Sequence, residues 1–270
     1  MAGGCRLAVV VLAALLAGCA ARVEPPVVTP SIPAPKPWTS AIGKLEIANA
    51  EPCTAILVAP TVILTASHCL HQDTTPTSPA DLRFRPNFGS EPELPTASGV
   101  GLRAQGGAIP EGHLSSPEQV AADWALVDIA PAVLGATPIP LAKLTTDEII
   151  AQIAAGDRLF TAGYGYGGMR ALKQHGRCEI LPPKGVSPIY EDGIIITNCI
   201  IRVGDSGGPV ILLDAAGKPR LVGIFAGFGL KAQLGLSYAV NADRVAPHLG
   251  SGLVSLLLPV PGFLQEPFPQ

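Results

Sequence analysis

The amino-acid sequence predicts an all-β protein. Its 270 residues include 30 glycines and 28 prolines, and these residues favour turns over long helices. Apolar residues make up 48% of the chain and fall in many short runs, such as 55–59 and 62–66, which is the pattern of short strands between turns. A chain of this length can bury the core of one large domain or of two smaller lobes.

The charge of the chain argues against one class of partner. It carries 18 basic and 21 acidic residues, for a net charge of −3, and contains no basic run. Phosphate backbones are bound by clustered lysine and arginine side chains. We therefore expect no nucleic-acid partner.

The first 18 residues have the pattern of an export signal. One basic residue, Arg6, precedes the apolar run Leu7–Ala17, which is shorter than the roughly 20 residues that cross a bilayer as a helix. The run leads into LAGC at 16–19, which resembles the lipobox of bacterial lipoproteins. We expect cleavage before Cys19 and a lipid anchor on its thiol, with an ordinary secretory signal as the alternative. Because Ala20 and not an aspartate follows, we expect the outer membrane of the cell envelope.

A proline-rich segment separates this signal from the rest of the chain. Its composition favours an extended polyproline II conformation that packs no core. We therefore predict a tether over residues 19–40 and a globular part over 41–249. The apolar tail, residues 250–270, is interrupted by Pro259 and Pro261, and it is too short for a membrane span. The prolines of the tether are Pro25, Pro26, Pro30, Pro33, Pro35 and Pro37.

The cysteines also indicate export. Of the six, Cys5 leaves with the signal and Cys19 is the expected lipid site. An even number of remaining cysteines in an oxidising compartment indicates disulfides, with three pairings open. These cysteines are Cys53, Cys69, Cys178 and Cys199.

The glycine-rich segment VGDSGGPV at 203–210 contains one serine, Ser206. A serine hydroxyl becomes a nucleophile only when a base takes its proton. His68 is the candidate base, because it stands where the second strand of the hairpin predicted over 55–66 ends. A metal bound by His68 and His71 around Cys69 is the alternative, but two ligands at usable spacing are too few. We expect no metal and no cofactor.

Asp123 is the candidate acid that orients the base. It precedes the apolar run Trp124–Val127, which predicts a buried strand, so its carboxylate lies at the edge of a core. A carboxylate in that position needs a hydrogen-bond partner such as an imidazole N–H. Asp128 is the competing acid, but it follows the run and is predicted at a solvated strand end.

With these residues in the order His68, Asp123, Ser206, the segments LTASHC, DWAL and GDSGGP resemble the signature segments of chymotrypsin-like (trypsin-fold) serine proteases. The similarity extends from about Ile42 to Leu249. AIGKLE at 41–46, together with the sequence around the histidine, is similar to the bacterial branch that includes glutamyl endopeptidases.

The resemblance implies two six-stranded antiparallel β-barrels, over about 41–131 and 156–249, with the active site in the cleft between them. It also favours the disulfides Cys53–Cys69, which would close the histidine loop, and Cys178–Cys199, since each pair falls within one lobe. The segment 144–156 joins the lobes, and the capping-box spacing of Thr145 and Glu148 predicts one helical turn there. TAGYGYGG at 161–168 is predicted as a strand that runs into a glycine turn, not as a nucleotide loop.

The resemblance further implies an activity, the hydrolysis of peptide bonds in protein or peptide substrates. Ser206 would attack a carbonyl, His68 would take the serine proton, and Asp123 would hold the imidazole. The N–H groups of Gly204 and Ser206 would form the oxyanion hole. An inactive binding protein on the same fold and an esterase using the same site are the alternatives.

Two positions and one missing motif depart from the family pattern. Ile200 stands six residues before Ser206, where trypsin-like specificity needs an acid, and Phe225 stands where glutamyl endopeptidases use a histidine. We therefore expect a preference for an apolar or small residue. Asp205 is the acid that many relatives pair with an amine released by proteolysis, but this chain has no matching cleavage motif. The sequence leaves open whether Arg202 or Lys44 is its partner or whether a second cut occurs near Ile42.

Overall fold

The structure is a computed structural model that describes residues 36–72, 75–109, 116–165, 171–176, 178–182, 193–228 and 235–250. Cys19 and the expected signal peptide, tail and most of the tether lie outside the described residues. Within the described ranges, no helix has the length and apolar character needed to cross a membrane.

The first half of the chain forms a closed six-stranded antiparallel barrel. Its strands are β1 (Ile42–Ile47), β2 (Cys53–Ala59), β3 (Val62–Thr65), β6 (Leu82–Pro86), β7 (Ala97–Gln105) and β8 (Ala125–Ala130). Around the barrel their order is β1-β2-β3-β8-β7-β6. The predicted hairpin is present as β2 and β3, with Ile56 opposite Leu64. Two short strands, β4 (His71–Gln72) and β5 (Thr75–Pro76), pair outside the barrel.

The second half forms a sheet of seven strands among the described residues. These strands are β9 (Arg158–Gly163), β10 (Lys173–Gln174), β11 (Ile180–Leu181), β12 (Ile194–Thr197), β13 (Pro209–Leu213), β14 (Pro219–Phe228) and β15 (Ser237–Asn241). Their order is β10-β9-β13-β14-β15-β12-β11. The all-β prediction of two lobes is thus confirmed, although the second lobe is described as a seven-stranded sheet and not as a six-stranded closed barrel.

Among the described residues, helices are few and short. The 3-10 helices are η1 (Pro37–Ala41), η2 (Ser67–Leu70) and η3 (Pro79–Asp81), and the α-helices are α1 (Pro117–Ala121), α2 (Thr146–Ala154) and α3 (Ala246–Leu249). At nine residues, α2 is longer than the single turn predicted, because Ile149 is fully buried and Ile153 packs against the same core. The predicted capping box is present, since the Thr145 N–H donates to the Glu148 carboxylate at 2.7 Å.

One hydrophobic cluster spans the two lobes, and the second lobe has a further cluster of its own. Trp38 of η1 and Phe160 of β9 meet edge to face, with ring centroids 4.8 Å apart. Ala41 and Ile42 are completely buried where the chain enters the first barrel. Residues 37–40, predicted as the end of the tether, are therefore packed against the second lobe and belong to the folded core.

Candidate active site

His68 and Asp123 form a close pair in the first barrel. The His68 ring Nδ1 lies 2.7 Å from Asp123 Oδ2, and the backbone N–H of His68 donates to Asp123 Oδ1 at 2.8 Å. Asp123 is completely buried, so these two contacts offset the cost of removing its carboxylate from water. The ring and the carboxylate are thereby fixed relative to each other.

Local structure places each member of this pair. His68 lies in η2, which begins two residues after the end of β3, and its neighbour Cys69 is bonded to Cys53 at the start of β2. The hydroxyl of Ser67, also in η2, donates to the Gly107 carbonyl. Asp123 lies in the two-residue link between the C-cap of α1 and the start of β8. Both functional groups are thus held by short segments that are anchored at each end.

Asp128, the competing acid, is not at a solvated strand end as expected. It lies inside β8, because that strand extends to Ala130. Its carboxylate accepts hydrogen bonds from Arg103 Nε at 2.9 Å and Nη2 at 2.6 Å. Asp128 is therefore engaged in an ion pair on the barrel wall, away from the His68 ring that Asp123 contacts.

The serine loop, residues 203–208, contains backbone N–H groups that are bonded within the protein and others that are not. Those of Asp205, Gly207 and Gly208 donate to carbonyl oxygens within the protein, at 2.9, 2.7 and 2.7 Å. Those of Gly204 and Ser206 donate to none of the described residues. This leaves two nearby N–H groups available for an external acceptor, which is what an oxyanion hole requires.

Glycines make this backbone conformation accessible. Gly204 has φ of +97° and Gly207 has φ of +77°, in the left-handed region that side chains disfavour. At Gly207 a Cβ would also lie 2.2 Å from the Thr54 carbonyl oxygen. The loop can therefore approach the first barrel this closely only without a side chain at that position.

Thr54 in β2 links the first barrel to the serine loop and to the end of β9 in the second lobe. Its N–H donates to the Ser206 carbonyl at 2.9 Å, and its hydroxyl donates to the Gly204 carbonyl at 2.8 Å. The same hydroxyl accepts the N–H of Tyr164, next to β9, at 3.0 Å. Thr54 is completely buried. It therefore fixes the carbonyl groups of the two residues whose N–H groups are free.

Ser206 and His68 line one surface cavity. The first barrel contributes the disulfide Cys53–Cys69 to its wall, and the serine loop contributes Gly204 and the half-exposed Val203. The remaining lining residues are Ile47, Ala50, Glu51, Pro52 and His71. The cavity is mostly apolar, with Glu51 as its acidic group.

Cys53, His68 and Cys69 place potential metal-ligand atoms within 4.8 Å of one another. Both cysteine sulfurs, however, are consumed by the disulfide, with an S–S distance of 2.05 Å. A bridged sulfur offers no thiolate to a metal. This cluster is therefore a disulfide beside an imidazole. The second disulfide is Cys178–Cys199, so both pairings match those implied by the resemblance.

The two positions singled out for specificity lie in different environments. Ile200 is 56% exposed in the segment that precedes the serine loop. Phe225 is completely buried in β14, where its ring packs against His175 at a centroid distance of 5.5 Å. Phe225 therefore supports the core beneath the serine loop.

Two residues of the site were not anticipated from sequence. Thr54 directly follows Cys53, but no motif distinguishes its hydroxyl from that of any strand threonine. His175 approaches Asp205, at 3.1 Å between Nε2 and Oδ2, from 30 residues away in sequence. Of the two partners left open for Asp205, Lys44 pairs with Glu46 at 3.4 Å, and Arg202 donates its backbone N–H to the Asp205 carboxylate.

A family model described as Trypsin matches residues 30–246 of the chain. Among solved structures, the chain is similar to the scabies mite inactivated protease paralogue S-D1, with 11% sequence identity and a TM-score of 0.59. That match covers 82% of this chain and 95% of the other. At such low identity the likeness shows the fold alone. No curated protein matches the sequence.

Proposed function

This chain belongs to the trypsin family, and on that premise we propose that it is a serine endopeptidase that forms an acyl-enzyme on Ser206. The observation that carries the proposal is the pair formed by His68 and the buried Asp123, 2.7 Å apart. A carboxylate that accepts the Nδ1 hydrogen leaves the Nε2 lone pair free to take a proton. Ser206 lies on the same cavity as this ring.

The acylation step follows from these groups. Ser206 Oγ bonds to the carbonyl carbon of the scissile peptide while His68 Nε2 takes the hydroxyl proton. Asp123 stabilises the imidazolium through the Nδ1 hydrogen bond. The free N–H groups of Gly204 and Ser206 stabilise the oxygen as it becomes negative. The C–N bond then breaks, and the imidazolium gives its proton to the leaving amine.

Deacylation repeats this chemistry with water. His68 takes a proton from the water as its oxygen attacks the acyl carbon, and the same N–H groups stabilise the second tetrahedral intermediate. The ester bond to Ser206 breaks, and the proton returns from His68 to the serine oxygen. The carboxylic acid product leaves and the enzyme is restored.

The proposed substrates are proteins or peptides with an apolar or small residue before the scissile bond. Ile200 supports this preference, because an acid at that position would be needed to pair a lysine or arginine of the substrate. Profiling of cleavage sites on a peptide library would test the preference. Predominant cleavage after lysine, arginine or glutamate would contradict it.

Two other functions use the same fold. The structurally similar mite protein is described as an inactivated protease, so a binding protein without turnover is one of them, and an esterase is the other. The free N–H groups of Gly204 and Ser206 favour an enzyme, since a binding protein has no need of an oxyanion hole.

Labelling with a fluorophosphonate separates these functions. We expect the wild-type protein to be labelled and to cleave peptides, and Ser206→Ala to lose both properties. Ser90→Ala, in a turn after β6, is the control and should behave as wild type. A folded wild-type protein that is not labelled would contradict an enzymatic function, and a labelled protein that cleaves esters but no peptides would indicate an esterase.

We also propose that Cys19 carries a lipid that tethers the protease to a bacterial membrane. The support is the sequence LAGC at 16–19 and the proline-rich segment after it. In fractionated cells, wild-type protein should pellet with membranes after a salt wash, whereas Cys19→Ser should remain in the supernatant. Membrane association that persists in Cys19→Ser would contradict the lipid anchor.

A further inference from the structure

Asp205 lies between the two residues whose N–H groups are free, and its carboxylate is buried. The residue is 4% exposed. Its Oδ1 accepts the N–H of Gly165 at 2.9 Å, and its Oδ2 accepts the N–H of Arg202 at 2.9 Å. Burial of a carboxylate is costly even with two such hydrogen bonds, so a positively charged or strongly polar partner is expected nearby.

His175 fills this place. Its Nε2 lies 3.1 Å from Asp205 Oδ2, and both side chains are 5% exposed. The ring nitrogens of His175 form no aligned hydrogen bond with the described residues, so its approach to Asp205 is a close polar contact between the imidazole and the carboxylate. His175 is itself held in place, because its N–H donates to the Thr161 carbonyl at 2.9 Å and its ring packs on Phe225.

The surroundings of Asp205 leave little room for an additional group. A Cβ at Gly163 would lie 2.2 Å from Asp205 Oδ1, and a Cβ at Gly165 would lie 2.7 Å from Oδ2. The carboxylate thus rests directly on the backbone at the end of β9. Together with the His175 ring, this backbone encloses it.

The chain near Ile42 is also unsuited to supply an amine to this pocket. Ile42 is paired with Ile56 inside the first barrel and is completely buried. The residues before it form η1, whose Trp38 packs against Phe160. A cut at Ile42 would separate this packed segment from β1.

We infer that His175 is the resident partner of Asp205 and a positioning residue for the serine loop, so the oxyanion hole forms in a chain that is not cut at Ile42. The inference rests on the proposed protease function. By holding the Asp205 carboxylate against the second lobe, His175 keeps the N–H groups on either side directed outward. It touches neither substrate nor reacting atoms.

The test compares His175→Leu with His175→Gln, because glutamine keeps a side-chain N–H donor and leucine does not. For a peptide substrate we expect kcat to fall at least about tenfold in His175→Leu with little change in KM, since an oxyanion hole acts in the transition state. His175→Gln should restore most of the lost rate. Equal kcat values in folded wild type and His175→Leu would overturn the inference.

A second measurement does not depend on activity. In ¹H–¹⁵N spectra of the imidazole groups, the His175 signals, assigned by their loss in His175→Gln, should shift in Asp205→Asn. If they do not shift, the pairing is wrong. If the His175 signals shift but the wild-type protein is not labelled by a fluorophosphonate, the pairing of His175 with Asp205 stands and the proposed protease function is wrong.

The third measurement is the intact mass of fluorophosphonate-labelled wild-type protein. We expect labelled chains that begin before Pro37 and therefore retain η1. Label confined to chains that begin at Ile42 or beyond would overturn the inference, because an amine released by proteolysis would then be required.

Discussion

Replacing Thr54 by valine should weaken both the fold and the serine loop. The Thr54 hydroxyl donates to the Gly204 carbonyl at 2.8 Å and accepts from the Tyr164 N–H at 3.0 Å. Valine has nearly the same shape as threonine but can form neither hydrogen bond. Each buried polar group left without a partner costs about 1–3 kcal/mol. Two such groups lower the free energy of unfolding by about 2–6 kcal/mol, and we expect the lower half of that range because the loop can relax.

Urea denaturation gives this free energy, and peptide hydrolysis gives the effect on the loop. Thr54→Ser retains the hydroxyl and should stay close to wild type in both measurements. Thr146→Val is the control, because it removes one buried hydroxyl, which donates to the Ile194 carbonyl at 3.3 Å and has no contact with the loop. We expect a loss of kcat in Thr54→Val alone. If Thr54→Val and Thr54→Ser are equally stable and equally active, the hydroxyl does not have the role we give it.

Two further predictions concern the side chains of Asp123 and Glu148. Asp123→Asn should lower kcat by roughly three to four orders of magnitude, because an amide that donates to Nδ1 favours the wrong imidazole tautomer. Asp128→Asn is the matched control and should keep a kcat close to that of the wild type in a peptide hydrolysis assay. If Asp128→Asn loses more activity than Asp123→Asn, the orienting role belongs to Asp128. Hydrogen bonds from the Thr145 N–H and hydroxyl hold the pKa of Glu148 below its ordinary value of 4.5. The ionised Glu148 therefore stabilises the folded state at pH values above 4.5. This stabilisation is lost as the pH falls through the lowered pKa. In urea denaturation, Glu148→Gln should be less stable than wild type at pH 7 but not at pH 3. Asp147→Asn is the control for the effect of charge at the helix N-terminus. An equal difference in stability between Glu148→Gln and wild type at both pH values would contradict this prediction.

The parts of the fold that sequence predicted are those that depend on neighbouring residues. The hairpin of β2 and β3 follows from two apolar runs around Pro60, and Asp123 was placed correctly at the edge of a core because it directly precedes a buried run. The capping box of α2 was equally visible, since Thr145 and Glu148 are three residues apart. In each case the deciding interactions lie within a few residues of each other.

The parts that were missed depend on contacts between distant segments. The Thr54 hydroxyl bonds to residues 110 and 150 positions away, and nothing in its immediate sequence marks it. His175 has no recognisable motif, and its contact with Asp205 exists only because β9 and the serine loop lie side by side. The length of α2 was underestimated because its isoleucines are stabilised by a core that the sequence alone does not display.

The disulfide Cys53–Cys69 has a consequence for where this chain can work. Cys53 directly precedes Thr54, which holds the serine loop, and Cys69 directly follows His68, which would take the serine proton. One covalent bond therefore couples the segment that contacts the serine loop to the segment that carries His68. In a reducing compartment this bond is absent, and the two segments would be held together by the pairing of β2 with β3 and by the Thr65 hydroxyl, which donates to the Thr54 carbonyl at 2.9 Å. For the protease proposed above, folding in an oxidising compartment would add the covalent link between these two segments.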